Sequence, residues 1–174
     1  MPHTRKHLGP SCLREMLSVR FSVVTDNRQE IKTDHVMHDV LMSGFAMMFF
    51  QDPSLLRFQQ RMEDEAHMNN LTTLFQIHSI PKDTRMREVV DDVNPEELAP
   101  LFDDFFRPLQ RGKHRVLDGR YMVALDGSQY FTSEKVSCPE CLFKEGKKGA
   151  IRHFHQIVQA ALMHPDKRQV IPLR

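Results

Sequence analysis

The sequence predicts an α+β chain, with a helical region over residues 1–115 followed by a short sheet over residues 116–174. Three observations predict it. Apolar residues recur at three- and four-residue steps from Leu13 to Leu109, the period of helices with one buried face. After Val116 the period becomes two: Tyr121, Val123 and Leu125 face one way, and Met122, Ala124 and Asp126 the other, as side chains do along a strand. Ile151 to Met163 is rich in apolar residues with few breakers, the composition of a strand covered on both faces.

Start and stop signals divide the helical region. Residues 1–10 carry Pro2, Gly9 and Pro10 among basic residues and read as a loose tail. Ser11 is placed to cap a first helix carrying Leu13, Met16, Leu17, Arg20 and Phe21, and Thr25-Asp-Asn-Arg-Gln ends it. Thr33 or Asp34 caps a second, in which Met37, Val40, Leu41, Gly44, Phe45 and Met48 recur. Its apolar character spreads around the helix, which marks it as the buried centre of the layer. Asp52 as cap and Pro53 at the first position open a third helix, about 53–67. This one turns Leu55, Leu56, Phe58 and Met62 inward and Gln59, Gln60, Arg61, Glu63, Asp64 and Glu65 outward.

Asn69-Asn70 makes a break, and Leu71, Leu74, Phe75 and Ile77 define a short helix after it. Asp83 or Thr84 caps the next, which carries Arg85 and Arg87. The two helices joined through 77–84 read equally as a helix-turn-helix-like unit or as plain helix packing. Asn94-Pro95-Glu-Glu opens a last helix with the stripe Leu98, Leu101, Phe102, Phe105, Phe106 and Leu109. Pro100 and Pro108 kink its ends, and Gly112 closes it. In the second region a strand over 122–131 is followed by a polar loop, about 132–149, then by the strand 151–163, the turn His164-Pro-Asp-Lys and a short strand over 169–173.

Composition narrows the function classes. At 174 residues the chain holds one domain or a domain and a half. A formal net charge of +1 does not announce a nucleic-acid binder. The basic clusters Arg5-Lys6-His7, Lys144 with Lys147-Lys148, and Lys167-Arg168 read first as solvated surface. With no Trp, 11 Met and 12 Phe, the core is filled by flexible and aromatic side chains. Three Cys with no signal peptide before them make no disulfide framework and point to a reducing, cytosolic compartment. The longest apolar run, Val40 to Phe50, is broken by Ser43 and Gly44 and falls short of the roughly 20 residues that cross a bilayer, so no membrane partner is expected.

Two places carry chemistry. Asp126 ends an apolar run, and a carboxylate so placed needs a partner or a metal if it is buried; the competing role is an Asp-Gly hairpin turn. An aspartyl-phosphate phosphatase would need a nucleophilic Asp two residues earlier, where Ala124 stands, so that chemistry is excluded. Cys138-Pro-Glu-Cys141 has the spacing with which two thiolates grip one tetrahedral ion. His153 and His155 share a face of the following strand and are the nearest further ligands for zinc; Cys12 and His164 fit less well. Two buried free thiols or a redox pair are the alternatives.

Leu71-Thr-Thr-Leu-Phe-Gln-Ile, Ile80-Pro-Lys-Asp-Thr-Arg-Met-Arg-Glu-Val-Val and Ala124-Leu-Asp-Gly-Ser-Gln-Tyr-Phe-Thr-Ser-Glu-Lys-Val-Ser-Cys-Pro-Glu-Cys-Leu, with His155-Gln-Ile-Val and His164-Pro-Asp-Lys-Arg-Gln-Val-Ile-Pro-Leu, resemble one family. It is the bacterial insertion-sequence transposases with a DDE catalytic domain. The resemblance runs from about residue 35 onward and is most specific over 124–142. It implies DNA-contacting helices followed by the first three antiparallel strands of a truncated RNase H-like fold. It also implies a bacterial, nucleoid-associated location and transposon-end DNA as partner.

Asp126 matches the family's first acid, and Arg85, Arg87, Lys147 and Lys148 become candidate DNA contacts. In the family, Mg²⁺ ions held by three carboxylates drive phosphodiester cleavage and strand transfer. The second Asp and the Glu have no match here. Asp166, in the turn after the second strand, would lie on the order of 20–30 Å from Asp126.

Three expectations follow. The first is an N-terminal piece of a transposase, from a truncated or interrupted gene or a deliberately shortened chain, inactive alone. The second is a zinc-stabilised DNA- or protein-binding module that regulates a full-length transposase. The third, resting on the stripe over 98–109, is an unrelated helical interaction domain. An exposed edge is expected over 169–173.

Overall fold

The computed structural model describes residues 9–28, 33–110, 114–116, 118–146, 149–168 and 170–174. Residues 1–8 of the tail with the Arg5-Lys6-His7 cluster, the stop at Gly112, and Lys147 and Lys148 lie outside the described residues. The chain is α+β, and the described residues form six α-helices and a five-stranded antiparallel sheet. It divides into two compact units, Met1–Phe105 and Phe106–Arg174.

The first unit is built around α2 (Met37–Phe49), where Val40, Met42, Ser43 and Ala46 are wholly buried. Its companions are α1 (Pro10–Phe21), α3 (Leu55–Met62), α4 (Glu65–Phe75) and α5 (Asp83–Asp91). Each offers an apolar stripe: Leu17 and Phe21, Phe58 and Met62, Leu71 and Phe75, Met86 and Val89. α5 approaches α2 closely because Gly44 has no side chain; a Cβ there would sit 3.3 Å from Met86 Cε. Phe45, Phe49, Phe50 and Phe75 form an aromatic cluster with ring centroids 5.5–6.2 Å apart, the edge-to-face range in which ring quadrupoles attract. Leu98, Leu101 and Phe105, from the expected last stripe, pack against the same core.

Several boundaries differ from the sequence expectation. α1 starts at Pro10 behind Gly9, not Ser11, because Pro is pre-set for the first helical position. α2 starts behind Val36, beyond Thr33 and Asp34. Ser54, not Asp52, caps α3, accepting the Arg57 N–H; Asp52 instead pairs with Arg61. The expected break at Asn69-Asn70 does not occur: the chain breaks after Met62, and α4 runs through both Asn. Leu56 is half exposed. Asn94 caps only a 3-10 turn, Pro95–Glu97, and α6 (Pro100–Gln110) starts at Pro100, with Pro108 inside it.

Two helices end on left-handed glutamines. Gln51 has φ 58° and Gln76 φ 59°. After α2 the Asp52 N–H reaches the Met47 carbonyl at 3.1 Å, and after α4 the Gln76 N–H reaches that of Thr72 at 3.1 Å, so the helix-terminal carbonyls are satisfied by the reversing chain. Ile77 is thereby outside the helix but fully buried. The link between α4 and α5, residues 76–82, is longer than the three- to four-residue turn of a DNA-reading helix pair. α5 packs on α2 and α3. The plain-packing alternative describes this region.

That link is fastened by a buried acid. Asp39, 2% exposed on α2, accepts the His78 and Ser79 N–H groups, each at 3.0 Å, on one carboxylate oxygen. Its other oxygen takes His38 Nδ1 at 3.0 Å, and His38 Nε2 meets Ser18 Oγ of α1 at 2.9 Å. A buried carboxylate is tolerated when its lone pairs are used in this way, and removing it strands the donors. Asp39→Ala is expected to cost about 2–3 kcal/mol, read as a lowered urea midpoint of the helical signal. A midpoint equal to the parent's would show that the acid does not tie α2 to the link.

The second unit holds β1 (Arg115–Val116), β2 (Arg120–Ser133), β3 (Leu142–Glu145), β4 (Ile151–Met163) and β5 (Ile171–Leu173). β2 and β4 pair antiparallel along nearly their whole length. The opposite edge of β4 is shared: β3 pairs with its first residues and β5 with Ala160–Leu162. β1 and β2 form a hairpin through Asp118 (φ 57°) and Gly119 (φ 81°), a dipeptide suited to a tight left-handed turn. β3 lies inside the expected 132–149 loop, which is therefore a loop only in part. β4 is not covered on both faces as expected, since Val158 is 75% and Ile157 47% exposed on opposite faces. The apolar run reports what a strand is able to bury, not that a layer is present to bury it.

Candidate metal centre

β2 and β4 set the geometry of everything at this end of the chain. Their register pairs Asp126 with Gln159 and Ser128 with Ile157, then slips by one residue between Gln129 and Phe131, so that Phe131 pairs with His155 and Ser133 with His153. Tyr130 is the extra residue of a β-bulge. Directly opposed residues share a face. Asp126, Phe131 and Ser133 therefore lie on the same face as Gln159, His155 and His153. Without the bulge, the parity of β2 would place Asp126 and Phe131 on opposite faces.

Beyond β2, Ser133 Oγ accepts the N–H groups of Lys135 and Val136 at 3.1 and 2.8 Å, turning the chain back toward β4. The Cys-Pro-Glu-Cys turn then closes on itself, with the Cys141 N–H on the Cys138 carbonyl at 3.1 Å and the Cys138 N–H on Cys141 Sγ at 3.2 Å. The two Sγ atoms stand 3.5 Å apart, and His155 Nε2 lies 3.2 Å from one and 3.3 Å from the other. A disulfide would need about 2.05 Å between the sulfurs, and both thiols are free.

The spacing fits one shared ion. With Zn–S about 2.3 Å and Zn–N about 2.0 Å at tetrahedral angles, sulfurs would sit about 3.8 Å apart and sulfur and nitrogen about 3.5 Å. The observed donors are closer by only about 0.2–0.3 Å, a gap an ion would open slightly. Cys138, Cys141 and His155 thus form a group able to hold a metal ion. The imidazole lies near two rings: Phe131 with its centroid at 5.8 Å and the bulge residue Tyr130 at 5.9 Å. Of the four expected zinc ligands, the fold brings together three. His153 lies on the same face, two residues away, but outside the cluster.

Asp126 lies within β2, exposed and flanked by β4, with Gly127 also in the ladder opposite Val158; the Asp-Gly pair is not a turn. Among the described residues it belongs to no group of three metal-ligating side chains. Asp166 follows β4 in the His164 turn, seven residues past Gln159, on the order of 23 Å along the strand. The residues described therefore do not fit a two-ion Mg²⁺ site.

The candidate DNA contacts on α5 are exposed but point apart, since residues two apart on a helix do not share a face. Arg85 bonds Glu88 at 3.0 Å, and Arg87 lies 3.9 Å from Asp83. Arg85 instead lines a cavity of about 200 Å³ with Arg28, Lys82, His35 and Asp34. Sequence reasoning missed this convergence, for no local pattern links Arg28 to Lys82. It also missed the approach of Tyr130 and Phe131 to His155, because a bulge leaves no signature in a strand's alternation. Arg28 is clamped by Asp26 at 2.7 and 2.5 Å, and this side-chain hydrogen bond holds the Asp26 carboxyl below its usual range against the opposing effect of burial.

Comparison with known proteins returns no matching family model, no matching curated protein and no matching solved structure. Among the described residues, no helix is long and apolar enough to cross a membrane.

Two outcomes follow. Cys138→Ser is expected to abolish binding of one zinc per chain by elemental analysis, and Tyr130→Ala to weaken it about 10-fold, as loss of a group supporting a ligand does; unchanged affinity in Tyr130→Ala would remove the ring from the site. The Asp26–Arg28 clamp, with a folded pKa below the unfolded one, stabilises at neutral pH and is lost as pH falls below the carboxylate range, about 4. The loss of stability between neutral pH and about pH 3 should therefore be smaller in Asp26→Asn, measured by urea unfolding at both.

Proposed function

We propose that the chain is the N-terminal portion of a DDE-type DNA transposase, with DNA-facing helices, the first metal-binding acid at Asp126, and a zinc clip at Cys138, Cys141 and His155. The observation that supports it most is the position of Asp126 inside the first long strand of three neighbouring antiparallel strands, β2, β4 and β5, with the short β3 paired to the start of β4. That is the arrangement expected for the opening of an RNase H-like domain. In such enzymes the carboxylates share divalent ions that activate the attacking oxygen and stabilise the leaving one. Asp126 would be one ligand of that set. With its companions not among the described residues, the chain binds DNA without cutting it. Arg85, Arg28 and Lys82 line one cavity and form a cationic group suited to phosphate contacts.

A second reading is favoured by the donor distances at the clip: a zinc-stabilised module that binds DNA, or a full-length relative, and performs no catalysis. Zinc here would fix the end of the β2–β4 ribbon, since a tetrahedral ion adds folding free energy to a segment with little core of its own.

The test uses the purified chain with duplex DNA and Mg²⁺ or Mn²⁺. Binding that weakens steeply with salt, no nicking of supercoiled plasmid, and unchanged binding by Asp126→Asn are expected. Metal-dependent cleavage that disappears in Asp126→Asn would overturn the inactive reading, and absence of any DNA binding would overturn the transposase reading.

A further inference from the structure

The clip has three donors where a tetrahedral ion takes four. Among the described residues the cluster is Cys138, Cys141 and His155 alone. Cys138 is exposed, while Cys141 and His155 are half-buried, so the missing corner lies toward solvent. Two nearby side chains of this chain are chemically able to fill it. Glu140, inside the Cys-Pro-Glu-Cys turn, is exposed and not in the cluster. His153 is paired at the backbone with Ser133 of β2 and Phe143 of β3, and its ring lies outside the cluster.

Resting on the zinc reading above, we propose that the fourth coordination position of this site is open and takes one external soft or borderline donor, an imidazole or a thiolate. The charge balance favours such a ligand. Two thiolates and a neutral imidazole already neutralise a divalent ion, so a neutral nitrogen donor adds no charge and a single thiolate only one. Zinc sites with three protein ligands hold water or an incoming ligand in the fourth position. The clip is therefore a docking point for a histidine or cysteine side chain, from a second copy of this chain or from another protein, as well as a staple.

The test uses the full chain loaded with Co²⁺, whose visible bands report the ligand set. A thiolate-to-metal charge-transfer band at one cobalt per chain, absent in Cys138→Ser, is the starting point. If that band never appears, the metal reading itself fails and the open position with it. If it appears, imidazole added in steps should shift the d–d bands saturably, to the same extent in the parent and in the His153→Ala and Glu140→Gln variants. Bands that ignore imidazole in the parent but respond in His153→Ala or in Glu140→Gln would overturn the proposal alone, because the chain would then close its own site. Sedimentation separates the sources of the donor. A metal-dependent dimer dissolved by imidazole identifies a second copy, and a monomer with an imidazole-sensitive spectrum identifies a donor from elsewhere; both support the open position.

Discussion

The pairing of β2 with β4 is the constraint on which the chemistry of this chain depends. Each strand alone is a row of alternating side chains with no fixed orientation. Antiparallel pairing with Asp126 opposite Gln159 and Phe131 opposite His155 decides what shares a surface. Because β4 alternates without interruption from His155 to Gln159, the acid and the clip histidine stand on one face, and the bulge at Tyr130 brings Phe131 onto that face as well. The acid and the histidine are four residues apart along β4, roughly 13 Å. The clip in turn gathers the turn after β2 and the early part of β4 into one knot, in a unit whose strands bury few side chains completely.

The helical unit follows a different logic. Its cohesion comes from an apolar helix surrounded by shorter amphipathic ones, and the deeply buried Asp39 binds backbone N–H groups in a link rather than a ligand. The Ser18, His38 and Asp39 side chains lie in hydrogen-bonded sequence, but the hydroxyl belongs to the middle of α1 and also bonds Gln76. The arrangement joins α1, α2 and the link, which is structural work.

The parts of this fold that announce themselves in the sequence are those where a single period dominates. The stripe of α2, the alternation through Asp126 and the long apolar run of β4 each give the right element type. The Cys-x-x-Cys turn and His155 are legible for a related reason: spacing alone brings the sulfurs together, and a strand of known direction delivers the histidine. Helix starts are less legible because several polar residues compete as caps. At 52–54, Asp52 is the stronger local signal, yet Arg61 recruits it and Ser54 takes the cap. β3 is hidden because its four residues carry no alternation, and it exists through its pairing with β4. The convergence of Arg28, Lys82 and Arg85 is a product of tertiary folding and has no one-dimensional trace.

The glutamines that end α2 and α4 bear on how the chain is built. A left-handed backbone costs a residue with a Cβ about 1 kcal/mol or more relative to glycine, so neither stop is encoded by local preference. What holds Gln76 in that conformation is its surroundings: Ile77 sunk in the core, Ser18 donating to the Gln76 side chain, and Thr72 Oγ1 bonded to the Ile77 carbonyl. The segment excised as a peptide would have no instruction to halt at Phe75. Helix length here is a property of the assembled domain, written into partners distant in sequence, and it comes into being only when they meet.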